Sequence, residues 1–262
     1  MIEIPIQKII DSSFEAQTKR EMKTWYISKL GSCLRGAYFE RLGVEADKEL
    51  TMRELRVFDM GNLVEEWVIN KITKVKDNWN LRIIDRPEPW MNRENLIVEF
   101  DKERGQIRLQ ELILGISGRP DLIVEFGGKR KVYEVKSKHS KSFWYMNKMG
   151  EGAMRQHEYQ LWCYLFLLGV DEGSIIYVSK DDQAILEYPV FLNNKQLREE
   201  VMNEINLLNL AWEHKKPELL PLPDEKSWKT KYCRYHSHCL MGEELPKINN
   251  QKYERKRIYT IH

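Results

Sequence analysis

Between residues 96 and 137 apolar residues recur with the period of strands, and on either side the spacing lengthens to that of helices. Leu96-Ile-Val-Glu-Phe and Glu111-Leu-Ile-Leu-Gly read as strands. Asp121-Leu-Ile-Val-Glu-Phe, the pair Gly127-Gly128 and Lys131-Val-Tyr-Glu-Val-Lys-Ser read as a hairpin, because two apolar runs joined by Gly-Gly carry the chemistry of a tight turn. Upstream, Ser32 stands as the N-cap of a short amphipathic helix that Gly43 stops, and a longer helix runs from about Met52 to Lys74. A polar stretch with Pro87 and Pro89 beside Trp90 follows it. Downstream, a helix is predicted over 152–168, ended by Gly169. Then come strands at Ile175-Ile-Tyr-Val-Ser and Ala184-Ile-Leu-Glu-Tyr-Pro-Val, and a helix over 193–214 that stops before Pro217. This order predicts an α/β fold with a mixed central β-sheet flanked by helices, helical N-terminal elaborations, and an aromatic, basic, cysteine-bearing C-terminal appendage from Trp228.

Length and composition fit one domain over 1–262, with a core at about 52–215 and the segments 1–51 and 216–262 packing together. At 42% hydrophobic and 31% charged residues the chain reads as a globular protein, with no apolar run of about 18 or more that could span a bilayer. Its start lacks the basic, apolar and small-residue order of a signal peptide, so the expected compartment is the cytoplasm, away from membranes. With 42 basic against 40 acidic residues the net charge is only +2, so any contact with nucleic acid must come from a local patch. The cysteines at 33, 163, 233 and 239 are not needed as disulfides in such a chain.

Chemistry concentrates on the hairpin. Alternation turns Val132, Glu134 and Lys136 to one face and Tyr133 and Val135 to the other, and antiparallel pairing brings Asp121 beside Glu134. Two neighbouring carboxylates resist ionising together, and a hard divalent cation, Mg²⁺ or Mn²⁺, removes that penalty. Lys136 beside it would orient or deprotonate a water and offset phosphate charge. The same residues also fit an ordinary strand after an ordinary turn. On the long helix Gly61, Glu65, Val68, Ile69 and Ile72 share a face, so Glu65 is an acid on a mainly apolar stripe. It would take either a metal or a lysine, or lie at the edge of the core. Gln160 and Tyr164, four apart on the next helix, share a face that could hold the lysine, a water or a phosphate.

The order Gly61…Glu65, Gly118-Arg-Pro-Asp121, Glu134-Val-Lys136 and Gln160-Leu-Trp-Cys-Tyr164 resembles the PD-(D/E)XK nuclease superfamily, in its RecB-like branch and its CRISPR-associated exonucleases in particular. The stretch from Trp25 to Phe39 is similar to the cysteine-bearing N-terminal helix of those enzymes, and Tyr177-Val-Ser-Lys180 to the strand after their glutamine helix. The resemblance, over about residues 25–240, implies a restriction-endonuclease-like core and a Mg²⁺- or Mn²⁺-dependent nuclease acting on DNA ends, often single-stranded. It puts Asp121, Glu134 and the carbonyl of Val135 on the metal, makes Lys136 the catalytic lysine, and sets Glu65 where those relatives usually carry a histidine.

The same relatives hold a four-iron cluster through one early and three late cysteines. Cys33, Cys233 and Cys239 match, but Thr230 occupies the remaining position, so either His236 or His238 completes an iron-sulfur or zinc site or the thiols simply pack. A basic and aromatic run suits a single strand: Lys129, Arg130, Lys131, Lys138, His139, Lys141, Lys148 and Arg155, with Phe143, Trp144 and Tyr145 among them. Two functions are thus expected, a metal-dependent DNA exonuclease or a non-cleaving DNA-binding partner in a repair or CRISPR-adaptation assembly.

Overall fold

The computed structural model describes residues 6–14, 22–222 and 233–240. The predicted hairpin forms from β6 (Leu122–Phe126) and β7 (Lys129–Lys138), and Gly127 and Gly128 both take positive φ, +56° and +77°, as a two-residue turn with right-handed strand twist requires. It lies inside a five-stranded mixed sheet of order β2-β6-β7-β8-β9, with β2 at Leu81–Ile83, β8 at Glu172–Ser179 and β9 at Ile185–Phe191. Within this sheet, among the described residues, only β7 and β8 run parallel; helices fill the crossover between them, as a parallel pair demands.

Instead of one central sheet there are two. β1 (Trp25–Tyr26), β5 (Ile116–Gly118), β4 (Gln106–Glu111) and β3 (Leu96–Asp101) form a second, four-stranded sheet of order β1-β5-β4-β3. The chain changes sheets between Gly118 and Leu122, and Pro120 in that link has no N–H to continue a ladder. The candidate chemistry therefore sits where two sheets meet.

One face of the larger sheet, with Ile123, Val132, Ile175 and Val190, is buried in the main core with α5 (Arg155–Leu168) and α6 (Lys195–His214). The opposite face, with Val135, Ile176 and Val178, packs on Val68 of α3 (Met52–Val75). That helix opens with a capping box, Thr51 N–H donating to Glu54 Oε2 at 2.8 Å and Glu54 N–H to Thr51 Oγ1 at 3.3 Å.

Several expectations need correction. Glu111 to Gly115 is not a strand; beyond Glu111 it turns, with Gly115 at φ +66° and Leu112 and Ile113 exposed, while the flanking β4 and β5 carry the pairing. The apolar run looked like a buried strand, whereas the alternation that counts is Ile107 and Leu109 in β4. Cys33, not Ser32, is the N-cap of α2 (Leu34–Leu42), because the Ser32 hydroxyl turns back to the Lys29 carbonyl; Gly43 ends α2 at φ +74° as expected. Ser140–Met149 is a helix, α4, and α5 and α6 each start slightly later than the pattern suggests. Among the described residues no helix is long and apolar enough to cross a membrane.

Candidate active site

Register brings the acids together. Leu122 faces Tyr133 across the hairpin, so the next step of the ladder sets Asp121 opposite Glu134. The Val135 amide donates to Asp121 Oδ2 at 2.7 Å. Glu134 is fully buried, with the Lys136 ammonium on its Oε1 and its Oε2 left with no hydrogen-bond partner. From α3, Glu65 turns inward and accepts from Gln106 Nε2 of β4 at 2.5 Å.

Three carboxylates thus share one ammonium, and burial, with repulsion at Glu134 and Glu65, raises their pKa values. Burial, then the charge of Asp121, pushes Glu134 well above the usual carboxylate range despite Lys136. Burial also raises Asp121, against the pull of Lys136 and the Val135 amide. Glu65 is pushed up to about 7, by burial first and the Asp121 charge second. Burial works against the Lys136 ammonium, yet Glu134 and Asp121 outweigh it and raise its pKa, so it stays charged.

Among the described residues no three His, Cys, Asp or Glu side chains stand at metal-holding spacing. The chemistry of the donor set nevertheless fits a hard cation: oxygen ligands only, mutual repulsion, and a buried orphan oxygen on Glu134. Glu134 Oε1 is already paired with Lys136, so a cation held here would draw on the free Oε2.

On α5, Gln160 Nε2 donates to the Tyr164 phenol oxygen at 3.3 Å, and the Arg119 amide donates to the same oxygen at 3.2 Å. Burial, then Glu134 and Asp121, raises the Tyr164 pKa well above its ordinary value, so the phenol keeps its proton. A Cβ on Gly118 would stand 2.7 Å from the Tyr164 oxygen, so the sheet-switching corner approaches the tyrosine as only glycine allows. Asp121, Gln160 and Tyr164 line a cleft of about 340 Å³ together with Asn62, Arg104 and Gln106.

The last three escaped sequence reasoning, as did the ion pair of Arg119 with Asp101, at 2.6 Å. Asn62 had a signal, one turn of α3 before Glu65 on the predicted stripe's flank. Arg104 and Gln106 had none, since they belong to another hairpin whose docking no local pattern encodes.

The basic run divides. Arg130 pairs with Glu125 at 3.1 Å, Lys131 lies 3.8 Å from Glu187, and Arg155 Nε donates to Glu200 at 2.8 Å, so these three are held by carboxylates. Lys138 Nζ lies 2.6 Å from the Met154 sulfur. On α4, Phe143 and Met146 are buried anchors, whereas Trp144 and Tyr145 are exposed with ring centroids 5.3 Å apart, beside exposed Lys141 and Lys148. His139 caps that helix, its Nδ1 accepting from the Lys141 amide at 3.2 Å. Lys129 is exposed beside the hairpin turn.

Cys163 is buried in α5, apart in role from the others, and burial drives its thiol pKa up. Cys33, Cys233 and Cys239 are half-buried free thiols near enough that Cys33 and Cys239 raise the pKa of Cys233, after the larger effect of burial. Thr230 lies outside the described residues. His238 Nε2 is engaged with the Glu45 carbonyl at 3.0 Å and lies 3.8 Å from Asp47, so it is turned to that loop. The thiols present do not complete a cluster-binding set among the described residues.

No curated protein matches the sequence. Several solved structures are similar to the chain at low identity. SSO0001 is 17% identical with a TM-score of 0.48, covering 90% of this chain and 96% of its own. The alkaline exonuclease LHK-Exo from Laribacter hongkongensis is 13% identical at 0.46, covering 76% and 94%. A phage-related exonuclease from Haemophilus somnus 129PT is 11% identical at 0.41, covering 79% and 97%. The sequence model of the PD-(D/E)XK nuclease superfamily matches residues 70–240, more than half of the chain and the whole of its acidic hairpin. This chain belongs to the PD-(D/E)XK nuclease superfamily.

Proposed function

We propose that this chain is a metal-dependent deoxyribonuclease that hydrolyses phosphodiester bonds, as an exonuclease on single strands or free DNA ends. The observation that carries the reading is the constellation of Asp121, Glu134 and Glu65 around the Lys136 ammonium, reaching an open cleft at Asp121, in a member of a nuclease superfamily. Glu65, Asp121, Glu134 and the Val135 carbonyl would hold Mg²⁺ or Mn²⁺. When bound, such an ion supplies a Lewis acid for the phosphoryl oxygens and acidifies a water.

The protein's own groups do the rest. Lys136, held charged beside Glu134, would bring its charge to the phosphate and orient the attacking water. Tyr164 and Gln160 fix the Gly118-Arg119 corner, and with it the approach of Asp121. Trp144 and Tyr145 give flat exposed rings on which unpaired bases can stack, with Lys141 and Lys148 for their phosphates. Free thiols at all four cysteines suit a reducing compartment such as the cytoplasm.

The test is cleavage of end-labelled single-stranded DNA by purified protein with Mn²⁺. Wild type should shorten the strand, and Lys136→Ala should lose at least about a hundredfold in rate while still folding cooperatively. Undiminished cleavage by that variant rejects the assignment. Tight binding without cutting in any divalent ion would instead select the non-cleaving DNA-binding partner.

A further inference from the structure

We propose that the tip of the β3–β4 hairpin is a phosphate clamp, in which Arg104 binds a backbone phosphate of the nucleic acid beside the acidic centre. The inference rests on the nuclease reading and adds a substrate-binding residue that lies outside its acidic hairpin.

The tip is built to be rigid. Asp101 closes it, its carbonyl accepting from the Gly105 amide at 2.8 Å and its Oδ1 from the amides of Glu103 and Arg104 at 3.1 and 3.2 Å. Gly105, at φ +67°, makes the turn that glycine adopts without strain. The other oxygen, Oδ2, takes Arg119 Nε at 2.8 Å and Nη2 at 2.6 Å, riveting the tip to the corner that leads into Asp121. On the far side of the turn, Gln106 reaches across to Glu65 of α3. One carboxylate and one amide therefore fasten this turn to both walls of the cleft.

Between those fastenings stands Arg104, whose side chain lines the cleft. It faces Glu65 closely enough for its charge to favour the ionised carboxylate there, yet among the described residues no carboxylate forms an ion pair with it. Arg119, two fastenings away, is fully taken up by Asp101. Arg104 thus differs from an ordinary solvated arginine in two respects: its backbone is pinned, and its neighbourhood is acidic without neutralising it. A polyanion entering a cleft lined by Asp121, with Glu65 close to both Asp121 and Arg104, needs cationic groups at the rim. Arg104, exposed on a pinned backbone, supplies one, with the forked donors that suit phosphate oxygens.

The experiment measures binding of a labelled single-stranded DNA to the full chain in Ca²⁺ over a range of salt concentrations, beside cleavage in Mn²⁺. Arg104→Ala should weaken binding about tenfold, as the loss of one charge-assisted contact does. It should also reduce the slope of log affinity against log salt by about 0.7, one phosphate's share for a single strand. Arg104→Lys should restore the slope and part of the affinity, and Arg104→Glu should bind more weakly than Ala. Lys195→Ala on α6 serves as the charge control and should change neither quantity beyond its general screening effect. Melting temperatures equal to wild type establish that the variants fold. Wild-type affinity and slope in Arg104→Ala, with wild type cutting normally, overturns the clamp alone. A wild-type chain that neither binds nor cuts DNA overturns the clamp and the nuclease reading together.

Discussion

The Val135 amide donates to Asp121 Oδ2 across the mouth of the β6–β7 hairpin, at 2.7 Å. One residue of β7 thereby holds the first acid of the site through its N–H, and its carbonyl is the proposed metal ligand. The consequence is that Asp121 is fixed beside Glu134 whether or not their charges suit each other, and in the metal-free protein they do not.

Asp121→Asn should therefore separate stability from activity. The amide oxygen still accepts from Val135, while one of three mutually repelling carboxylates disappears. In chelator the variant should melt a few degrees above wild type, the response to about 1 kcal/mol in a domain of this size. Its cleavage in Mn²⁺ should fall at least about a hundredfold, since a metal ligand is lost. A variant less stable than wild type in chelator would show that the acids do not strain one another.

Glu65 predicts a pH dependence. Its folded pKa is raised from 4.5 to about 7, by burial and then by Asp121. Below 4.5 both folded and unfolded chains carry the proton and nothing is gained or lost. Between 4.5 and about 7 the unfolded chain releases it first, so stability falls as pH rises, by about 1.4 kcal/mol per unit for one proton, and levels off above. Asp121 and Glu134, also raised, act in the same direction. Urea melts of the metal-free protein from pH 5 to 8 should show this decline, and Glu65→Gln should remove part of it. Mn²⁺ affinity should run the other way, strengthening as pH passes about 7, because the ion must displace that proton. Identical pH slopes for wild type and Glu65→Gln would rule this out.

Gly118→Ala should damage the site from the backbone outward. The new methyl would meet the Tyr164 oxygen at 2.7 Å, its Cε1 at 2.8 Å and Ile27 Cβ at 3.2 Å, and Tyr164 is fully buried and cannot swing away. Overpacking of this kind costs about 1–3 kcal/mol. Since the Arg119 amide hangs from the same phenol, Asp121 should shift with it, and cleavage should drop more than stability alone explains. Thermal melts beside rates at a temperature where both proteins are folded separate the two effects. Unchanged kinetics in a destabilised variant would mean the corner does not position Asp121.

What could be read from the sequence follows a physical rule. The hairpin was legible because Gly127-Gly128 and the alternation around them are local, and Glu134 and Lys136 inherit their face from it. Glu65 was legible because helical spacing exposes an acid on an apolar stripe. Illegible were contacts between elements distant in sequence: Arg119 with Asp101, Gln106 with Glu65, and the division into two sheets at Pro120. Helix α4 was missed although Phe143 and Met146, three apart, and Gly150 after it carried a weak helical signal beneath a conspicuous aromatic and basic composition. The strand reading of Glu111 to Gly115 failed because the run forms a turn in which Leu112 and Ile113 are exposed and, of its apolar side chains, only Leu114 is buried, so hydrophobicity does not report a strand there.

Gln106 supplies the last prediction, because it reaches the site from the second sheet. Its amide donates to Glu65 at 2.5 Å and helps hold that carboxylate ionised against burial. Removing the donor in Gln106→Leu leaves the volume but frees Glu65 to rotate and favours its protonated form. Groups that orient a metal ligand typically matter by about 10- to 100-fold in metal affinity. The variant should therefore require about that much more Mn²⁺ for half-maximal cleavage, with a maximal rate near wild type once the ion saturates. A direct Mn²⁺ titration by calorimetry, without DNA, should show the same loss. If Gln106 instead acted on the substrate, the Mn²⁺ requirement would stay fixed and the KM for DNA would rise, so the two titrations together decide which group the amide serves.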